Sequence, residues 1–290
     1  MTEALEAATA ALRAQSESPR TDARRLLAHV LDRDTPWLIA HDREKLSPVH
    51  CTQFTEAVNL RRQGVPFAHI SGTAGFFGHT YCITANVLVP RRETEHLVER
   101  ALHFLKQRNL QDRQIVQVLD VGTGSGAICC AIALATPRAL VHATDVSAAA
   151  IAVAERNAEK LGVSNRCEFF IGDLIEPVRS ERYSCVIANL PYIPTAQLPR
   201  RPQSAAFDPR CALDGGEDGL QQYRRLLPML PSMLEPDALV LCEAAPPVIE
   251  ALAALSHDCF PAAKVTIGRD YANLERFVAI ATGSAAQSAE

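Results

Sequence analysis

Asn189-Leu190-Pro191-Tyr192 sets a primary amide, a stiff ring and a phenol within four consecutive residues. It follows the run from Tyr183 to Ala188, short, apolar and rich in β-formers, as expected of a strand buried on both faces of a parallel sheet. Pro191 has no N–H for a ladder and biases Leu190 toward extended backbone, so the chain must leave the sheet there. The polar groups then stand just past the carboxyl end of a strand, where open α/β sheets bind their ligands. A planar nitrogen, in an amide or an exocyclic base amine, has a delocalised lone pair and is a poor nucleophile. The Asn189 side-chain carbonyl and a strand-end backbone carbonyl can accept both of its N–H bonds, while Tyr192 stacks on the flat group. That grip aims the lone pair and favours positive charge growing on nitrogen, with no base needed beforehand.

A second constellation is Asp120-Val-Gly122-Thr123-Gly124-Ser125-Gly126, on a strand-to-helix turn. Its glycines let the backbone pass close beneath a ligand, and the helix N-terminus that follows offers N–H groups to an anion. Asp145 ends the next strand, about 20 residues past the glycines, where a carboxylate accepts from two ribose hydroxyls. A nucleoside ligand follows. Gly122-x-Gly124-x-x-Ala127 also satisfies the loose dinucleotide fingerprint, so the loop alone does not choose among nucleosides. Asp120 tips the balance, because an acid there suits the ammonium group of a methionine moiety and repels a pyrophosphate. Asp173-Leu174, past the third strand, would flank an adenine, the acid accepting from its amino group and the leucine packing on its face. The pattern resembles S-adenosylmethionine-dependent methyltransferases of class I, which implies a Rossmann-like, seven-stranded, mostly parallel sheet. It also implies S-adenosyl-L-methionine as cofactor and S-adenosyl-L-homocysteine as product.

The elements that must position these residues alternate in period. Helical spacing runs from Thr2 to about Gln63, with Ser18-Pro19 and Ser47-Pro48 as helix starts and Gly64 ending a third helix over 48–63. Between Gly72 and Pro90 the period changes. Phe76-Phe77-Gly78, Tyr81, Ile83 and Val87-Leu88-Val89 predict a β-hairpin connecting two domains. Glu93, Thr94 and Glu95 open a helix, with acids at its positive end. Strands are predicted at 115–121, 140–145, 167–171, 183–188 and 238–243, with helices at 127–135 and 148–161 between the early ones. That alternation implies right-handed crossovers and a parallel sheet. A hairpin-like pair at 264–267 and 276–280 closes the sheet edge. The long, proline- and arginine-rich stretch 193–219 is read as an active-site lid. The domains are thus 1–70 helical, 71–92 hairpin connector, 93–282 catalytic and 283–290 a flexible tail.

The 290 residues have a formal charge of −4, which argues against a nucleic-acid substrate despite pairs such as Arg24-Arg25 and Arg200-Arg201. The apolar runs are far short of a membrane span and the N-terminus has no signal pattern, so a cytoplasmic protein with no membrane partner is expected. Nine scattered cysteines without C-x-x-C spacing read as reduced thiols. The nine histidines include no H-E-x-x-H, so no metal is expected.

The chain resembles bacterial release-factor glutamine methyltransferases of the PrmC/HemK family. The likeness rests on 64–72, Phe76-Phe77-Gly78, 87–95, Asp120 to Gly126, Asn189 to Tyr192, Phe207-Asp-Pro209, 212–219, Arg269-Asp-Tyr271 and Glu275-Arg276. Leu190, Arg92 and Asp208 stand where the family usually has proline, proline and glutamate. The resemblance implies N5-methylation of the glutamine in the Gly-Gly-Gln loop of class I peptide chain release factors. It assigns Asn189, Leu190, Pro191 and Tyr192 to the glutamine, with Asn189, Pro191 and Tyr192 catalytic. It assigns Asp120, Gly122 to Gly126, Asp145, Asp173 and Leu174 to the cofactor, with Asn189 shared, and the N-terminal helices to docking the release factor. No stable nucleic-acid binding is expected. Asn-Leu-Pro-Tyr also occurs in rRNA adenine dimethyltransferases, so adenine-N6 methylation of rRNA or DNA is the rival, and a cofactor-binding scaffold without turnover the third reading.

Overall fold

Proline in the first turn fixes φ at no cost in hydrogen bonds, and three N-terminal helices begin this way. The computed structural model describes residues 1–112, 115–200 and 203–283. It divides into one unit of Met1–Thr73 with Pro199–Phe207 and a second of Ala74–Leu198 with Asp208–Glu290. The first unit contains α1 (Thr2–Leu12), α2 (Pro19–Leu31), α3 (Thr35–Ala40), α4 (Pro48–Arg62) and α5 (Phe67–Ser71). Asp34 and Ser47 cap α3 and α4 by accepting from the Trp37 and His50 N–H groups. Leu12, Leu26, Leu27, Leu38 and Phe54 form its core. The sequence reading missed α3 and α5, which are too short to display a period.

β1 (Thr73–Phe76), all but its first residue in the second unit, and β2 (His79–Cys82) form the hairpin. Phe77 and Gly78 both have positive φ, as a two-residue turn of the primed kind requires. The hairpin is shorter than expected. Val87-Leu88-Val89 is not a strand; Val87 is a buried loop residue behind a turn held by Thr84. Tyr81 packs into the sheet's core, and buried Asn157 bonds both the Cys82 N–H and C=O while also donating to the Ser125 carbonyl at 2.8 Å.

There follow α6 (Glu95–Asp112), β3 (Val116–Val121), α7 (Ala127–Ala135), β4 (Ala139–Asp145), α8 (Ala148–Lys160), β5 (Cys167–Ile171), β6 (Tyr183–Ala188), α9 (Gln221–Leu226), β7 (Leu234–Glu243), α10 (Pro246–Cys259), β8 (Lys264–Arg269) and β9 (Glu275–Ala281). The sheet order is β5-β4-β3-β6-β7-β9-β8, parallel except at β9. It is the seven-stranded class I methyltransferase sheet that the resemblance implied. All six residues of β6 are buried, since alternate side chains enter the apolar layers on opposite faces. Helices α9 and α10 had not been predicted, although the buried residues of α10 recur at spacings of three and four. Strand β7 begins at Leu234, ahead of the expected Ala238. The stretch 193–219 carries short 3₁₀ turns and a bridge from Ile193 to Asp214; its residues 201–202 lie outside the described residues. Beyond Gly283 the expected tail also lies outside them. No described helix is long and apolar enough to cross a membrane.

Candidate active site

The strand order reverses between β3 and β6, and a crevice opens at such a switch point. Val121 pairs with Ala188, so Gly122 and Asn189 are each the first residue past neighbouring strands. The Gly122 and Thr123 N–H groups both donate to the Thr144 carbonyl at 2.9 Å, tying the loop to β4. Gly122, Gly124 and Gly126 all have left-handed φ. A Cβ on Gly122 would lie 2.9 Å from Leu190 Cδ2 and 3.9 Å from the Asn189 carbonyl oxygen, so the two turns touch. A Cβ on Gly124 would meet nothing within 4 Å.

A cavity of about 420 Å³ fills the crevice, within the usual range for small-molecule sites. Gly122, Thr123, Gly124, Ser125, Asp145, Asp173, Leu174, Asn189, Leu190 and Pro191 all line it. Asp120, Gly126 and Tyr192 do not. Asp120 is buried beneath the loop, where its Oδ2 accepts from the Thr123 hydroxyl at 2.7 Å and the Cys129 N–H at 3.1 Å. Its Oδ1 is buried without a partner among the described residues. Gly126 packs on Ala154, and the Tyr192 hydroxyl donates to Glu243 Oε1 at 3.2 Å.

The Asp145 carboxylate accepts from the Gly124 and Ser147 N–H groups, each at 2.9 Å. Burial raises its pKa against those two bonds. Asp173 is half exposed at the rim and paired with Arg225. Leu174 holds a φ of 51°, a left-handed backbone that costs a leucine about 1–2 kcal/mol and that clusters at functional sites. Asn189 Nδ2 donates to Thr94 Oγ1 at 3.2 Å, leaving Oδ1 as the free acceptor of the amide. Sequence reasoning missed Thr94, Pro90, Arg91, Val146, Cys211 and Ala212, which also line the cavity. Val146 carried one usable signal, an apolar residue directly after Asp145 that proves 68% exposed. Open space above Gly124, a carboxylate at the wall and an orphaned buried acid oxygen fit a nucleoside joined to a cationic group.

Two buried acids give the site a pH signature. Burial pushes Asp120 up to about 7 from 3.8, opposed by the Thr123 and Cys129 bonds. Burial likewise pushes Glu243 up to about 7 from 4.5, opposed by the Thr94 and Tyr192 hydroxyls. The folded state therefore keeps protons that the unfolded chain has released, and stability falls as pH rises from about 4 to about 7, then levels. Calorimetry of the ligand-free protein should show the thermal midpoint falling over that interval, with a shallower slope for Asp120→Asn. A midpoint that rises with pH there, or an unchanged slope, contradicts this.

Residues 3–72 match the family described as the PrmC N-terminal domain, and residues 98–199 the methyltransferase small domain. The curated release factor glutamine methyltransferase of Bordetella pertussis is 40% identical over 259 residues, covering 89% of this chain and 93% of that protein. The one from Moorella thermoacetica is 40% identical over 227 residues, 78% of each. The crystal structure of a methyltransferase from Pyrococcus furiosus shares the fold, with a TM-score of 0.52 at 17% identity over 72% of this chain and 91% of that one. Such identity with the curated enzymes, sustained over most of both chains and not confined to the glycine loop that many methyltransferases share, means that this chain belongs to the release factor glutamine methyltransferase family.

Proposed function

We propose that this protein transfers a methyl group from S-adenosyl-L-methionine to the side-chain amide nitrogen, N5, of the glutamine in the Gly-Gly-Gln motif of class I peptide chain release factors. It thereby modulates translation termination, in the cytoplasm. The observation that carries this reading is the register of β3 and β6, which leaves Gly122 and Asn189 side by side in one cavity. When bound, S-adenosyl-L-methionine supplies an electrophilic methyl group on a sulfonium. Gly122 to Ser125 and Asp145 would hold its nucleoside and Asp173 and Leu174 its base, with Gly126 seating the loop on α8 and Asp120 bracing it from beneath through Thr123 and Cys129. Asp173 shares its carboxylate with Arg225 in this role.

Asn189 Oδ1 and a backbone carbonyl of the turn would accept the two N–H bonds of the glutamine amide. That holds its nitrogen lone pair toward the cavity and stabilises the positive charge growing on nitrogen until one N–H proton is released to solvent after transfer. Pro191 stiffens the turn, and Tyr192 forms its outer flank. Residues 1–70 serve in docking the protein substrate. Transfer of labelled methyl to a purified release factor, to its Gln→Ala variant and to rRNA tests the reading. Label on the wild-type factor alone is expected. Label on rRNA alone, or equal label on both factor forms, overturns it.

A further inference from the structure

We propose that Glu243, with Tyr223, is the positioning residue of the acceptor turn, fixing 189–192 at both ends without touching the substrate. This rests on the reading of that turn as the glutamine site. Ala188 pairs with Cys242, so Glu243 is the β7 neighbour of Asn189 at the sheet's carboxyl edge. Its carboxylate Oε1 accepts from the Tyr192 hydroxyl at 3.2 Å, securing the far end of the turn. Its backbone carbonyl accepts from the Tyr223 hydroxyl at 2.6 Å. That same hydroxyl accepts from the Leu190 N–H at 3.3 Å and lies 3.1 Å from the Ala188 carbonyl, securing the near end. Tyr223 is fully buried and Glu243 is 3% exposed, so water does not compete for these bonds.

A buried acid with one oxygen, Oε2, that makes no close hydrogen bond among the described residues is costly to keep in a sheet where leucine would pack. Such costs are characteristic of functional sites. Neither Glu243 nor Tyr223 lines the cavity; both act through the turn. Thr94 completes the arrangement on the other side, since it accepts from Asn189 Nδ2 and its hydroxyl lies beside the Glu243 carboxylate.

Glu243→Leu, Glu243→Gln and Tyr223→Phe test this through three measurements on the full chain: kcat on a release factor, calorimetric Kd for S-adenosyl-L-methionine, and amide hydrogen exchange of a peptide spanning 186–193. A displaced reacting geometry costs up to about 10²-fold. The expected result is therefore a kcat lower by about 10-fold or more in Glu243→Leu and Tyr223→Phe, with Kd nearly unchanged. Exchange at the turn should quicken in both. Glu243→Gln, whose amide oxygen still accepts from Tyr192, should stay near wild type. Unchanged kcat or unchanged exchange in both disrupting variants overturns the proposal, as does a Gln variant as impaired as Leu or a Kd that weakens in step with kcat. Should Glu243→Leu fail to fold, Tyr223→Phe decides alone. A wild-type protein inactive on release factors would defeat the proposed function, and the exchange measurement would still decide whether Glu243 and Tyr223 hold the turn.

Discussion

Asn189→Ala lowers kcat for glutamine methylation by about 10²-fold or more, and affinity for S-adenosyl-L-methionine changes far less. Removing one oriented polar group at a centre where charge develops costs about 10²–10³ in kcat. The Asn189 amide suits that role because its Nδ2 is committed to Thr94, so the side chain cannot flip without losing that bond. Cofactor affinity is expected to survive because the glycine loop is held by the Thr144 carbonyl and Asp145, neither of which depends on Asn189. Single-turnover methylation of a release factor, with calorimetric binding in parallel, checks both halves. Near-normal turnover in this variant would remove Asn189 from the mechanism.

Gly126→Ala is expected to produce the largest loss of stability among the loop glycines. The residue holds a φ of +75°, and its new Cβ would stand 2.9 Å from the Ala154 Cβ and 3.0 Å from the Ala154 Cα. Neither atom belongs to a flexible side chain that could swing aside. The left-handed backbone costs about 1–2 kcal/mol in a non-glycine residue, and overpacking adds about 1–3 kcal/mol. At ~2–4 °C per kcal/mol for a chain of this size class, the thermal midpoint should drop by about 4–20 °C. Gly162→Ala supplies the control, because it has a φ of +72° but nothing within 4 Å of its Cβ. It should show the backbone cost alone. Equal midpoints for the two variants would mean that Ala154 yields and that the loop is not wedged against α8.

Much of the fold was readable because its buried strands are short apolar runs cut off by glycine, proline or aspartate. Tyr183 to Ala188, ended by Asn189-Leu190-Pro191, is the clearest case. The failures have separate causes. Helices α3 and α5 are too brief for a period to emerge, and the apolar run Val87 to Val89 mimics a strand although it has no ladder partner. The residues around the acceptor turn were harder still. Glu243 and Tyr223 meet Tyr192 and Leu190 only through the parallel register of β6 and β7 and the return of α9, and Thr94 meets Asn189 from the residue just ahead of α6. Local pattern cannot reveal a bond between residues fifty or more positions apart, as Tyr192 and Glu243 are. Asp120 illustrates the converse. Its place ahead of the glycines was plain in the sequence, but its burial below the loop follows from the Thr123 and Cys129 bonds.

The side chain of Asn157 joins the two Cys82 backbone groups to the carbonyl of Ser125. The hairpin is therefore a buttress of the glycine turn and not merely a tether. Any chimaera that transplants this catalytic sheet must carry residues 74–82 with it. A fragment starting at α6 would leave a buried carboxamide stripped of two partners, and the turn it braces would be free to sag.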